Sequence, residues 1–116
     1  MDVIRFEHNL LYLPDTMLTF DYEITQAIVA GESVIVLLDI PPEEGIYRNI
    51  YSFGFDTHLI WQIQDVTEAY PQITHQCTFV GISPMENGNV LAVNFFGINF
   101  EVSVADGKIL AKHDGR

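Results

Sequence analysis

Apolar and polar positions alternate along much of the chain with a period of two. Residues 98–104 show it most cleanly, with Ile98, Phe100, Val102 and Val104 alternating with Asn99, Glu101 and Ser103. That spacing predicts a strand with one buried and one wet face. Turn residues interrupt the pattern at short intervals: Asp15, Gly31, Pro41-Pro42, Gly45, Asp56-Thr57, Pro71, Asn87-Gly88, Phe96-Gly97 and Asp106-Gly107. Short apolar runs punctuated in this way indicate an all-β fold. The predicted strands are 3–12, 33–40, 49–55, 58–64, 77–83, 89–95, 98–104 and 108–113. Residues 20–30 fit a short turn of helix, because Phe20, Ile24 and Ile28 are four apart ahead of Gly31, or an irregular strand. Residues 65–76 form a polar connector with Pro71, long for a compact domain and therefore a candidate functional loop.

The pattern repeats. Residues 49–63 align with 99–113 at a shift of 50, matching Asn49 with Asn99, Asp56 with Asp106 and Leu59 with Ile109. The preceding strands align at a shift of 56, placing Val34-Ile35-Val36-Leu37 on Val90-Leu91-Ala92-Val93. Each half reads as strand, strand, tight turn, strand. Adding 77–83 to the second half and part of 18–30 to the first brings each to four strands. The expected architecture is a single all-β domain over 1–116. Two four-stranded antiparallel meanders, approximately 18–64 and 77–113, form a sandwich or a small barrel.

Asn49-Ile-Tyr-Ser-Phe followed by Asp56-Thr-His-Leu-Ile-Trp61 resembles the outer hairpin of a blade in quinoprotein-type β-propeller repeats, and Asp106-Gly-Lys-Ile-Leu110 resembles the same turn in a second copy. The segments 49–63 and 94–108 also resemble a family of small bacterial all-β proteins with no assigned activity. The likeness spans roughly 33–112 and implies blade-like meanders. The sequence departs from the blade pattern in three places. The first turn is a residue shorter, Ala111 stands where a second Trp is expected, and Phe95-Phe96-Gly97 replaces Trp-Asp-Gly. A complete propeller needs at least four blades. Two blades imply no quinone site.

Strand 33–40 is apolar on both faces, with Val34, Val36 and Leu38 on one and Ile35 and Leu37 on the other; 89–95 is similar. A two-sheet monomer covers one face of each sheet, so Ile35, Leu37, Leu91 and Val93 are expected to need a cover. Either residues 1–30 wrap over the second face or identical chains pair as a homodimer.

Charge narrows the partners. Residues 1–107 carry 15 acids against Arg5 and Arg48, and the whole chain has a net charge of −11. Such a body repels nucleic-acid phosphates and anionic membrane surfaces, and favours solubility or a basic protein partner. No apolar run is long enough for a membrane-spanning helix, and the first residues lack an export signal, so a cytoplasmic protein is expected.

Candidate chemistry is sparse. His75 and Cys77 share a strand face, but no Cys-x-x-Cys or His-x-x-x-His accompanies them, so no metal is expected. Asp39, Glu43 and Glu44 flank Pro41-Pro42 as a solvated tip rather than a catalytic carboxylate pair. No serine sits in a nucleophile elbow, Cys77 falls in a predicted buried strand, and no glycine-rich phosphate loop exists. No enzyme and no cofactor are expected. Trp61 reads as a core anchor. Phe96 is unsuited to the positive φ of a two-residue hairpin turn, which implies a longer loop or an aromatic presented for contact.

The expected function is a non-catalytic protein-interaction module, with Tyr47, Tyr70 and Phe96 as its possible surface. A narrower version is an immunity-type protein masking a basic toxin. The alternative class is a small β-barrel carrier of an apolar ligand, lined by Phe53, Phe55, Phe79, Phe95 and Phe100.

Overall fold

The structure, a computed structural model, describes residues 4–113. Eleven strands form three antiparallel sheets among the described residues. The N-terminal sheet contains β1 (Arg5–Glu7), β2 (Leu10–Tyr12) and β3 (Met17–Thr19). The first meander contains β4 (Glu23–Ala30), β5 (Ser33–Asp39), β6 (Ile50–Gly54) and β7 (Leu59–Gln62). The second contains β8 (Phe79–Pro84), β9 (Val90–Asn94), β10 (Asn99–Val102) and β11 (Ile109–His113). Both meanders run in sequence order, and neither closes into a barrel.

The expected meanders are therefore present, as stacked sheets. Residues 20–30 resolve as the irregular strand, β4, with a register shift between Ile24 and Gln26. The predicted strand 3–12 is instead a hairpin: Glu7 pairs with Leu10 across a two-residue turn in which His8 has φ 56°. Neither glycine nor proline marks that turn. Asn9 holds it by donating its side-chain N–H to the Phe20 carbonyl. Strand β3 was not anticipated; it pairs with β2 and completes the N-terminal layer.

The register establishes the repeat more firmly than residue matching. Gln26 opposite Leu37 corresponds to Gly81 opposite Val93, Leu37 opposite Ile50 to Val93 opposite Asn99, and Tyr51 opposite Gln62 to Phe100 opposite Lys112. The bulges recur too, Ile24/Gln26 with Phe79/Gly81 and Ser52/Phe53 with Glu101/Val102. The uniform shift of 50 is right for β7 and β11 but one too many for β6 and β10. The cause is the turn. Gly54 and His58 close a three-residue loop, whereas Ser103 and Lys108 close a four-residue one. Asn49 and Asn99 are consequently not equivalent positions.

Two cores lie between the layers. Ile35, Leu37, Ile50, Trp61 and Ile63 face Phe79, Ile82, Val90, Phe100 and Val102 of the second meander. Val34, Val36, Leu38 and Phe53 on the opposite face pack with Leu11 and Leu13 of the N-terminal segment. The N-terminal wrap is present, with the faces exchanged: it covers the Val34/Val36 side, and the second meander covers Ile35/Leu37. Leu91 and Val93 remain half-exposed on the outer face of the second meander. The connector 65–76 is a packed plug rather than a free loop. Asp65 caps a single helical turn, α1 (Val66–Ala69), by accepting from the Thr67 N–H at 2.8 Å, while Val66, Tyr70 and Ile73 pack on the core.

Side-chain amides join the two meanders. Asn49 accepts from Phe79 N–H at 2.9 Å and donates to the Phe79 and Leu38 carbonyls at 2.9 and 2.8 Å. Gln26 accepts from Ile82 N–H at 2.8 Å and donates to its carbonyl at 3.1 Å. These amides pair the edge of β8 that β9 does not use, so a strand edge is satisfied without another strand. Trp61 reaches across to donate to the Val104 carbonyl at 2.9 Å, its ring lying over Gly107. Gly107 has φ +76°, and a Cβ there would come within 2.5 Å of the Trp61 ring.

Gly107→Ala combines left-handed strain with a ring collision and is expected to cost about 2–4 kcal/mol in urea unfolding. Asn49→Ala leaves buried backbone groups of Phe79 and Leu38 unpaired and is expected to cost about 3 kcal/mol in the same measurement. A loss below about 1 kcal/mol for Asn49→Ala would remove the amide clamp as a structural determinant.

Candidate functional site

Three connections meet at one end of the stack: the 41–49 segment between β5 and β6, the end of the 63–78 connector, and the β9–β10 hairpin. A 3-10 turn, Pro42–Glu44, starts the first and ends at Gly45 in the left-handed conformation, φ 70°. Tyr47 follows, half-buried, with Arg48 beside it.

The β9–β10 hairpin presents adjacent aromatics. Its loop has three residues, Phe95, Phe96 and Gly97: Gly97 N–H donates to the Asn94 carbonyl at 2.9 Å and Asn94 N–H to the Ile98 carbonyl at 3.0 Å. The positive φ, 85°, falls on Gly97, so Phe96 escapes the backbone region it fits poorly. The longer-loop reading is the observed one, and the ring is also presented outward. Phe95 and Phe96 are 70% and 60% exposed, their rings edge-to-face at 6.1 Å. The buried Asn94 side chain accepts from Ile98 N–H at 3.0 Å, and Phe95 N–H donates to the Thr78 carbonyl at 2.9 Å. Both hydrogen bonds hold the tip in place before any partner arrives, which lowers the ordering cost of binding.

Phe95 and Phe96 border an open cleft of about 220 Å³ with Pro42, Tyr47, Gln76 and Cys77. Tyr47 also borders a second cleft, of about 320 Å³, with Arg48, Gln62, Asp65 and Gln76. Arg48 donates its Nε–H to the Ile63 carbonyl at 2.7 Å. The structure thus brings Tyr47 and Phe96 together. It places Tyr70 elsewhere: that ring closes α1, packs on Phe100 at 6.2 Å and lies 6.0 Å below Lys112 Nζ. Tyr70 belongs to the margin of the core. Sequence reasoning named Phe95 only for a carrier cavity and did not single out Pro42 and Gln76 as site residues; the Phe95-Phe96 doublet beside a glycine was the available signal for the first.

Cys77 precedes β8, half-buried, instead of lying in a buried strand. Among the described residues no three of His, Cys, Asp and Glu converge on one point. The aromatics proposed for a carrier cavity are dispersed: Phe53 and Phe55 pack in one core, Phe79 and Phe100 in the other, and Phe95 is exposed. Neither meander closes into a barrel, so a barrel cavity lined by those rings is not the architecture observed.

His58 and Asp56 hydrogen-bond within the β6–β7 turn, where Thr57 has φ 77°. The pair is exposed. The His58 side chain is the first cause holding the Asp56 carboxyl below its ordinary 3.8, followed by the His58 backbone N–H. A depressed folded-state value contributes stability that is present above the unfolded value and lost as pH falls through the folded one. In a carboxyl NMR titration, His58→Ala is expected to raise the Asp56 midpoint and to remove this part of the acid limb. An unchanged midpoint would show that the side-chain contact does not control the titration.

A family model described as a domain of unknown function, DUF7957, matches residues 1–113. The chain belongs to the DUF7957 family. No curated protein matches it. Among solved structures, the crystal structure of the computationally designed Ika8 protein is similar, with a TM-score of 0.60 at 13% identity. The match covers 97% of this chain and 36% of that one, so this chain spans about a third of the length of its structural neighbour. At that identity the likeness concerns the fold alone. Neither match is described as a quinoprotein, and what remains of the blade resemblance is the repeated four-stranded meander itself. No helix among the described residues is long and apolar enough to cross a membrane.

Proposed function

We propose that this DUF7957 chain is a non-catalytic protein-interaction module that engages a basic partner through the Tyr47–Phe95–Phe96 end. The observation that carries this reading is the Phe95–Phe96 tip: two adjacent, largely exposed rings on a backbone-braced hairpin, beside an open cleft. Exposed aromatics on a rigid support are the residues that dominate interface energetics. The surrounding charge selects the partner. Glu43 and Asp39, close to Pro42 in sequence, are exposed, in a chain of net charge −11. An acidic rim around an apolar centre attracts a basic surface and excludes phosphate backbones. Masking a basic toxin, as an immunity-type protein does, is one role this surface suits.

Phe96→Asp is expected to change stability by less than about 1 kcal/mol, because most of that ring is already in water. The same variant should lose partner binding. The test is affinity capture of partners by the full chain, comparing wild type, Phe96→Asp and Val80→Asp, an exposed control on β8. The expected outcome is a basic protein, released by rising salt, retained by Val80→Asp and lost with Phe96→Asp. A partner held equally by Phe96→Asp would place the interface elsewhere.

A further inference from the structure

We propose that a second site, the groove between the N-terminal segment and the β6–β7 side of the first meander, takes a lysine or arginine side chain of a basic protein partner through its aromatic rings and acidic rim.

The N-terminal sheet is too narrow to cover the whole of the face it packs on. Beyond its edge lies an open groove of about 270 Å³, bordered by Phe20, Asp21, Tyr22, Tyr51, Phe53 and Leu59. Phe20 meets Phe53 edge-to-face at 5.5 Å, and Tyr51 stacks on Phe53 at 6.4 Å. These three rings and Tyr22 come from two separate stretches of chain, 20–22 and 51–53. The faces of aromatic rings carry negative charge density and attract a cation within about 6 Å of the centroid. The protein already makes one such contact within its N-terminal sheet, with the Arg5 guanidinium 4.0 Å from the Tyr12 ring centroid.

Acids complete the groove. Asp21 borders it and is exposed. Tyr22 donates its hydroxyl to Glu44 at 2.9 Å, which fixes a second carboxylate next to a lining ring. Arg48 donates its Nε–H to the Ile63 carbonyl and keeps its positive charge on the Tyr51 side of the groove, so the bound cation belongs toward Asp21 and Glu44. A long cationic side chain suits this arrangement: its methylene stem covers rings while its head reaches the carboxylates. An uncharged apolar ligand gains nothing from Asp21 or Glu44, and an anion is repelled by both. Glu44 belongs to the same 3-10 turn whose Pro42 borders the aromatic end, so both sites flank one turn. The groove nonetheless shares no lining residue with the Phe95–Phe96 cleft.

The test is an NMR titration of the full chain at 150 mM salt, about physiological ionic strength. The probes are Nα-acetyl-lysine methylamide, its arginine counterpart, the uncharged norleucine counterpart, and choline. Saturable shifts are expected at Phe20, Tyr22, Tyr51 and Phe53, with the lysine and arginine probes binding about fivefold more tightly than norleucine. Tyr22→Ala should weaken the lysine probe about fivefold and Asp21→Asn about threefold, while Tyr22→Phe, which keeps the ring, should bind within about twofold of wild type. Phe96→Asp should leave the titration unchanged, so failure of the aromatic end and failure of the groove are distinguishable. Equal binding of norleucine, shifts centred elsewhere, or absence of shifts would each overturn the proposal. Binding of choline without the lysine and arginine probes would also overturn it, in favour of a small quaternary ammonium ligand.

Discussion

Strand β5 has no wet side. Val34, Ile35, Val36, Leu37 and Leu38 are all buried, so apolar residues lie on both faces of the first meander. A sheet with a two-sided apolar centre needs a layer against each face, because burying only one would leave branched aliphatic side chains in water. The three-layer stack follows from that requirement. The second meander provides one layer. The three short strands of the N-terminal sheet provide a smaller one. The size mismatch on that side is the physical origin of the groove beside Tyr51 and Phe53.

Apolar pressure alone does not set how the meanders sit against each other, since hydrophobic burial has little directionality. Asn49, Gln26 and Trp61 supply the direction. The first two place planar amides against the backbone of β8, each satisfying one N–H and one carbonyl. The third fills the space over Gly107 and donates to the neighbouring turn. Gln64 reinforces the same contact, giving its backbone N–H to the Gly107 carbonyl and accepting from Ile109 N–H on its side chain. The repeated unit is the backbone register with its two bulges, whereas the amides and the tryptophan occur once, where two copies of that unit meet.

The candidate interaction features arise where the stack is interrupted. Loops at one end carry Tyr47, Phe95 and Phe96, and the uncovered margin of the first meander carries Phe20, Tyr22 and Tyr51. Both lie in a chain dominated by carboxylates. Aromatic area contributes binding energy, and the surrounding charge contributes the choice of partner. The outer face of the second meander is less distinctive. It carries Leu91 and Val93, half-exposed, in rows with Glu101, Asn99 and Ser83.

Alternation, turn residues and self-similarity determined the all-β class, the two meanders and the role of Trp61. Those features are local: a period of two reports directly on a pleated backbone. Even the one-residue difference in turn length was legible, although the alignment of β6 with β10 did not use it. The His8-Asn9 hairpin was not legible, because its left-handed residue is a histidine and its brace is a contact from Asn9 to a residue eleven positions away. The pairing of Tyr47 with Phe96, the removal of Tyr70 to the core margin, and the aromatic groove were decided only by tertiary structure. Each joins residues distant in sequence, and side-chain period says which face a residue occupies but not which layer will cover it.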